Sequence, residues 1–73
     1  MSPEKLAYMA NQIGKFFAHE GHDRAVASIA DHLRKFWDPR MRNTILAQYQ
    51  AVKGRLDPLV QEAVEQLGKI DIG

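Results

Sequence analysis

Apolar residues recur at intervals of three and four along most of the chain, the spacing of one face of an α-helix. No stretch alternates strictly between apolar and polar residues, as a half-buried strand would. We therefore predict an all-α fold, a small bundle of three main helices followed by a short fourth helix at the C-terminal end. The predicted helices cover about residues 3–19, 24–37, 39–53 and 58–67 of a single helical domain that spans residues 1–73.

Polar residues placed before prolines predict where the helices begin. Ser2-Pro3, Asp38-Pro39 and Asp57-Pro58 each put a capping side chain before a proline, which tolerates the first helical position because no hydrogen bond is lost there. Asp23 is expected to cap the second helix in the same way, without a proline. The pair Asp38-Pro39 also predicts a break between helices two and three, because proline disfavours helical geometry in the preceding residue.

The glycines have two predicted uses. Gly14 lies inside the first predicted helix, where glycine costs roughly 1 kcal/mol relative to alanine, so we interpret it as a point of close approach by another helix. Gly21, Gly54 and Gly68 are expected to end helices one, three and four, since glycine readily takes the conformation that follows a helix. The tail from residue 69 to residue 73 is left without a predicted element.

A domain of 73 residues buries only roughly 60% of the surface that its unfolded chain exposes, so we expect a thin core. Small domains are often stabilised by disulfides, a metal ion or a partner chain. The sequence contains no cysteine, which excludes disulfides and thiolate metal sites. A partner chain is then the simplest source of additional stability.

Charge is distributed unevenly, although the net charge is only +1. Residues 34–55 contain six basic residues and one acid, so this stretch carries +5 and the remainder carries −4. Such asymmetry favours an acidic partner surface or an anionic ligand, while solvated helix faces are the alternative explanation. The basic residues are Arg34, Lys35, Arg40, Arg42, Lys53 and Arg55.

Groups able to perform catalysis are few. The histidines of His19-Glu20-Gly21-His22 are three positions apart, whereas the zinc-protease pattern has two histidines four apart on a continuous helix. His32 could join them as a ligand, and solvated histidines near a helix end are the alternative. The two serines are predicted to lie at a helix cap and inside a helix, so neither is a candidate nucleophile. The glycines are too far apart in the sequence to form a phosphate-binding loop. We predict no catalytic, cofactor-binding or metal site in this chain.

Aromatic residues are concentrated in two adjacent pairs, Phe16-Phe17 and Phe36-Trp37. Neighbours on a helix point about 100° apart, so one member of each pair can fill the core, and the other is enclosed only if a further surface, such as another chain, covers it. The alternative is that helices one and two pack through all four rings. Aromatic residues and arginines also anchor many interfaces, which draws attention to Trp37, Arg40 and Arg42.

Two stretches between residues 9 and 42 carry a family resemblance. The first is Met9-Ala10-Asn11-Gln12-Ile13-Gly14 followed by Phe16-Phe17, and the second is His32-Leu33 followed by Phe36-Trp37-Asp38-Pro39-Arg40-Met41-Arg42. They resemble the delta subunit of the cytoplasmic, NAD-dependent, molybdenum-containing formate dehydrogenases. The Trp-Asp-Pro-Arg-Met-Arg string is specific, and the similarity beyond residue 43 is weaker.

The resemblance implies an accessory chain that supports assembly or stability of the enzyme complex, with loading of its cofactor as a further option. In that complex the alpha (large) subunit holds a molybdenum pterin guanine dinucleotide and iron–sulfur clusters, and the beta and gamma subunits carry FMN, further clusters and the site of NAD reduction. None of these groups is expected to bind this chain. The residues predicted to form an interface, with the large subunit as the first partner, are Phe36, Trp37, Arg40, Met41 and Arg42.

A second hypothesis is a free-standing helical regulator or nucleic-acid-binding homodimer that self-associates through the aromatic pairs. The near-neutral chain and the lack of a binding motif disfavour nucleic acid, although Pro39-Arg40-Met41-Arg42 would suit phosphate. The N-terminal stretch lacks the basic and apolar regions of a secretion signal, so a cytoplasmic location is expected.

Overall fold

The computed structural model describes residues 2–72, and the side chains of residues 2–69. Five α-helices and two 3₁₀ turns make up this part of the chain, so the predicted all-α fold class is confirmed. The α-helices are α1 (Pro3–Phe17), α2 (His22–Phe36), α3 (Pro39–Ala47), α4 (Tyr49–Val52) and α5 (Pro58–Ile72). The 3₁₀ turns Ala18–Glu20 and Lys53–Arg55 follow α1 and α4.

The predicted third helix, 39–53, is interrupted. The backbone of Gln48 leaves helical geometry at ψ 13° and separates α3 from the single turn α4. Tyr49, the first residue of α4, donates its hydroxyl hydrogen to the Glu65 carboxylate on α5. Burial, together with this carboxylate, raises the pKa of the Tyr49 hydroxyl. The interruption therefore coincides with a polar contact between α4 and α5.

The last helix also differs from the prediction of a short element ending at residue 67. α5 has 15 residues, the same length as α1 and α2. Gly68 does not end it, because this glycine lies inside the helix, where a Cβ atom would stand 3.3 Å from Cδ2 of Leu46. Tertiary packing thus keeps the backbone helical despite the low helix propensity of glycine. Residue 73 of the predicted tail lies outside the described residues.

Two of the predicted N-caps are confirmed. The Ser2 hydroxyl accepts a hydrogen bond from the Lys5 backbone N–H at 3.1 Å. A carboxylate oxygen of Asp38 accepts one from the Met41 backbone N–H at 2.9 Å. Each bond satisfies one of the N–H groups that a helix leaves without an internal partner.

The second helix begins earlier than predicted, and Asp23 is not its cap. α2 starts at His22, and Gly21 occupies the capping position with φ 91°. This positive φ is accessible to glycine without steric cost and redirects the chain after the first 3₁₀ turn. Asp23 therefore lies in the first turn of α2, where its carboxylate contacts the His22 ring instead.

The core draws side chains from all five α-helices, and α5 packs chiefly against α2. The Cα radius of gyration is 10.8 Å, close to the roughly 11 Å expected of a folded domain of this length. Within the described residues, none of the helices is both long and apolar enough to cross a bilayer. The largest fully buried side chains are Leu6, Ile29, Leu33, Ile45, Val52, Val60, Val64 and Leu67.

Two residues of α1 set its position against α5. Gly14 is buried, and a Cβ atom there would lie 2.5 Å from Cγ2 of Val60, which confirms the close approach predicted for this glycine. The side-chain amide of Asn11 donates to the Arg55 carbonyl at 2.8 Å and accepts from the Asp57 backbone N–H at 2.9 Å. These contacts hold the loop that leads into α5 against α1.

Replacing Gly14 with alanine should lower the free energy of unfolding by about 1–3 kcal/mol, measured by urea denaturation, although alanine is the better helix former. The reason is that Val60 is stiff and fully buried and has little room to yield. Gly54→Ala is the matched control, because no heavy atom lies within 4 Å of its Cβ position. Adding Val60→Ala to Gly14→Ala should cost less than the sum of the two single changes, and strictly additive losses would contradict a clash.

Candidate partner-binding surface

The residues predicted to form a partner interface lie in different environments. Phe36 is 72% exposed, whereas its neighbour Trp37 is 5% exposed and belongs to the hydrophobic core. The Arg40 side chain is exposed, and Arg42 is half-buried. Met41 is also half-buried and packs against the core. The structure therefore separates this set into inward-facing and outward-facing side chains.

Trp37 and Arg42 both stabilise the junction between α2 and α3. Trp37 leaves the helix in an extended conformation, with φ −81° and ψ 138°, and its ring enters the core. A guanidinium N–H of Arg42 donates to the Trp37 carbonyl and, at 3.1 Å, to the Arg34 carbonyl. Carbonyls in the last turn of a helix lack internal partners, so Arg42 completes the end of α2. Contact of these two side chains with a partner stays a prediction, and both already have contacts within this chain.

Arg40 and Met41 lie on the first turn of α3, beside a cavity of about 360 Å³. The Arg40 backbone carbonyl accepts a hydrogen bond from the Thr44 hydroxyl at 2.8 Å. At the start of the same turn, the Asp38 carboxylate accepts the capping hydrogen bond from the Met41 backbone N–H. This first turn is thus held in place while the Arg40 guanidinium remains at the surface.

A continuous row of rings crosses the surface between α1 and α2, and we call it the aromatic strip: Phe16, Phe17, His32 and Phe36. Phe16 and Phe17 meet edge to face with centroids 5.0 Å apart. The His32 ring lies 6.1 Å from Phe17 and 4.7 Å from Phe36, so it joins the two helices. Phe16 is 71% exposed and Phe36 is 72% exposed. Large aromatic residues are therefore left in water at both ends of the strip.

An apolar groove of about 330 Å³ opens beside the strip. Contiguous exposed apolar surface on a small protein is typical of interaction sites, whereas single exposed apolar residues are ordinary. The groove and the strip together form the candidate partner-binding surface. The groove is lined by Met9, Gln12, Ile13, Phe16, Phe17 and His32.

Each aromatic pair places one ring toward the core and the other at the surface, while enclosure of the outer ring by another chain stays a prediction. Trp37 is buried while Phe36 is exposed, and Phe17 is half-buried while Phe16 is exposed. Sequence reasoning missed His32 as a member of the surface. Its spacing of four residues from Phe36 places both on one face of α2, but the contact with Phe17 required the packing of α1 on α2.

The three histidines lie in different environments. His22 lies between two carboxylates: one ring nitrogen hydrogen-bonds to Asp23 at 2.8 Å, and the other hydrogen-bonds to Glu62 on α5. The hydrogen bonds to Asp23 and Glu62 raise the pKa of His22 above its usual 6.5. His32 belongs to the aromatic strip, and His19 is exposed. Within residues 2–69, no group of three or more metal-binding side chains is placed to hold a metal ion.

The fold and the site together define a class of protein: a small all-helical chain with a closed core and an aromatic surface between its first two helices. Its family is shown by comparison. The family described as "NADH-dependant formate dehydrogenase delta subunit FdsD" matches residues 5–64, so the chain belongs to this family of formate dehydrogenase subunits. The match includes the whole aromatic strip and confirms the resemblance seen in the sequence. No curated protein and no solved structure matches the chain.

Alanine substitutions at the two neighbours Phe36 and Trp37 should have very different effects on the isolated chain. Trp37→Ala should lower the free energy of unfolding by about 3–5 kcal/mol, because it leaves a cavity in the core. Phe36→Ala should change it by less than about 1 kcal/mol, because the ring is largely in water already. Thermal and urea denaturation measure both, and similar losses would contradict the division between core and surface.

The His22 contact predicts a pH-dependent stability. Protonated His22 is favoured in the folded chain, so its contribution should be complete below its ordinary pKa of 6.5 and be lost as the pH rises through the raised value. Glu62→Gln should lower the His22 pKa in an NMR titration and destabilise the fold more at pH 6 than at pH 9. Glu4→Gln on α1 is the control and should leave the titration unchanged. An unaltered His22 titration in Glu62→Gln would refute the contact.

Proposed function

We propose that this chain is a non-catalytic accessory subunit of a multi-subunit, NAD-dependent molybdenum formate dehydrogenase, and that it supports assembly or stability of the complex. The observation that carries the proposal is the family match over residues 5–64. The aromatic strip supports it, because a chain that acts by binding needs a surface whose burial releases free energy. In this proposal the complex is cytoplasmic, as in the family that the sequence resembles.

The strip has enough apolar surface to contribute to such binding. Moving a phenylalanine side chain from water into an apolar interface is worth about 1.5–3 kcal/mol. Phe16 and Phe36 are each more than two-thirds exposed, so most of this free energy is still available to a partner. Of the residues predicted from the sequence, we propose that Phe36, Arg40 and Met41 lie nearest the partner, while Trp37 and Arg42 fix the geometry that presents them.

The partner that we propose is the alpha (large) subunit, with beta and gamma subunits in the same complex. Iron–sulfur clusters are held by cysteine thiolates, and this sequence contains no cysteine, so its residues do not fit such a cluster. We propose that the molybdenum pterin guanine dinucleotide, the clusters, FMN and NAD are all held by the other subunits. Formate oxidation then takes place outside this chain.

The direct test is to purify the enzyme from cells with and without this chain. We expect the chain to co-purify with the large subunit, and we expect the complex without it to dissociate more readily in native mass spectrometry and to have a lower Tm. The isolated chain should show no formate-dependent reduction of NAD. Equal assembly and equal Tm with and without the chain would refute the accessory role, as would its recovery only as a homodimer.

The molybdenum content of the same two preparations separates the two forms of the accessory role. Equal content in both preparations supports assembly or stability alone. Lower content in the preparation without the chain supports loading of the cofactor as well. The measurement is elemental analysis of the large subunit after gel filtration.

A further inference from the structure

We propose that the aromatic strip binds an acidic amphipathic segment of another formate dehydrogenase subunit. The apolar side chains of that segment lie on the rings and the groove, and its carboxylates face a basic cluster beside Phe36. This inference rests on the proposed function and specifies the chemistry of the surface that the partner presents. The basic cluster consists of Arg34, Lys35 and Arg40.

The cluster is assembled at the junction of α2 and α3. Arg34 and Lys35 lie in the last turn of α2, directly before Phe36. Arg42 contacts the carbonyls of Arg34 and Trp37, so the first turn of α3 lies against the end of α2 and brings the exposed Arg40 to the junction. The junction that carries Phe36 therefore also carries positive charge from two helices.

Acidic residues in the same region neutralise only part of this charge. Residues 31–42 contain four basic and two acidic side chains, a net charge of +2. Asp31 pairs with both Arg34 and Lys35 at 3.1 Å, and these two basic side chains remain 47% and 57% exposed. The carboxylate of Asp38 is engaged as the cap of α3. The surface around Phe36 thus complements a partner that carries carboxylates beside its apolar residues.

The same charge argues against one arrangement of a second copy of this chain as the occupant. A symmetric dimer uses one surface patch on both copies, so a dimer with its two-fold axis along the strip would bring the two positive clusters together. Repulsion between like charges at an interface is costly. A larger subunit of opposite local charge avoids this repulsion and covers the same rings.

His32 adds a polar group in the middle of the apolar surface. Its ring is half-buried between Phe17 and Phe36. In the part of the chain that the structure describes, neither ring nitrogen of His32 has a hydrogen-bond partner. A carboxylate or hydroxyl of the bound segment would satisfy one of them, which also favours a segment that is polar as well as apolar.

The test measures binding of the full chain to formate dehydrogenase purified from cells that lack it. Phe16→Ala/Phe36→Ala should weaken binding at least about 10-fold, as expected for central aromatic anchors. Its control is Tyr8→Ala, which removes another exposed aromatic ring, about 2.5 helical turns before Phe17 on α1. The control should stay within about twofold of wild type. Circular dichroism of each variant verifies that it is folded.

Charge is tested by neutralisation. Arg34→Gln/Lys35→Gln should weaken binding about 3–10-fold at low ionic strength and flatten its salt dependence, mainly through slower association. Arg24→Gln/Arg55→Gln makes the same change in net charge at other exposed positions and is the matched control. Asp31→Asn should act in the opposite direction and tighten binding, because it removes the acid that shields Arg34 and Lys35.

The outcomes separate this inference from the proposed function. If wild-type chain binds and the strip and charge variants bind equally well, the inference is overturned and the accessory role stands. If wild-type chain does not bind the enzyme, both fail. Dimerisation of the isolated chain that Phe16→Ala/Phe36→Ala abolishes would overturn the inference, as would strip-dependent binding of a single-stranded oligonucleotide.

Discussion

Burial of Trp37 is the interaction on which the candidate surface depends. Neighbouring positions at a helix end point in different directions, so a Trp37 ring in the core leaves the Phe36 ring in water. Trp37 also takes the extended conformation with which α2 ends, and Arg42 and Asp38 complete the adjoining helix ends from the other side of the junction. A core interaction thereby decides which aromatic residue is available to a partner.

In the stretches that carry the family resemblance, some residues likewise pack inside the fold and others lie at its surface. Asn11 and Gly14 set the approach of α1 to α5, through two hydrogen bonds between the Asn11 side chain and the backbone before α5 and a contact that excludes a Cβ atom. Phe16 lies on the same helix and projects into solvent. α1 is therefore both a packed element of the core and one side of the strip. A change at Gly14 would be expected to move the strip as well as to weaken the core.

The surface of this chain, and not its core, favours a partner. The small size of the chain predicts a thin core that needs additional stability, yet the core residues are almost completely enclosed and the radius of gyration is that of a folded domain. What favours a partner is the exposed aromatic strip, together with membership of a family of formate dehydrogenase subunits. The function that we propose thus follows from surface chemistry and family, and not from an incomplete interior.

The sequence by itself determined the features whose causes lie within about one helical turn. The all-α class follows from apolar spacing, and the caps at Ser2 and Asp38 follow from short polar side chains placed before prolines. The close approach at Gly14 was also predictable, because an unfavourable residue inside a helix calls for a packing reason. For the candidate site, the aromatic pairs identified the rings involved but left open whether one ring of each pair faces outward or all four pack between helices one and two.

Only the tertiary structure decided the features that depend on residues distant in sequence. It selected Trp37 over Phe36 for the core, placed His32 between rings from two helices, and paired His22 with Glu62 forty positions away. It also kept α5 helical through Gly68 and interrupted the predicted third helix at Gln48. Local propensity is worth at most about 1 kcal/mol at such positions, and burial of a single large side chain outweighs it.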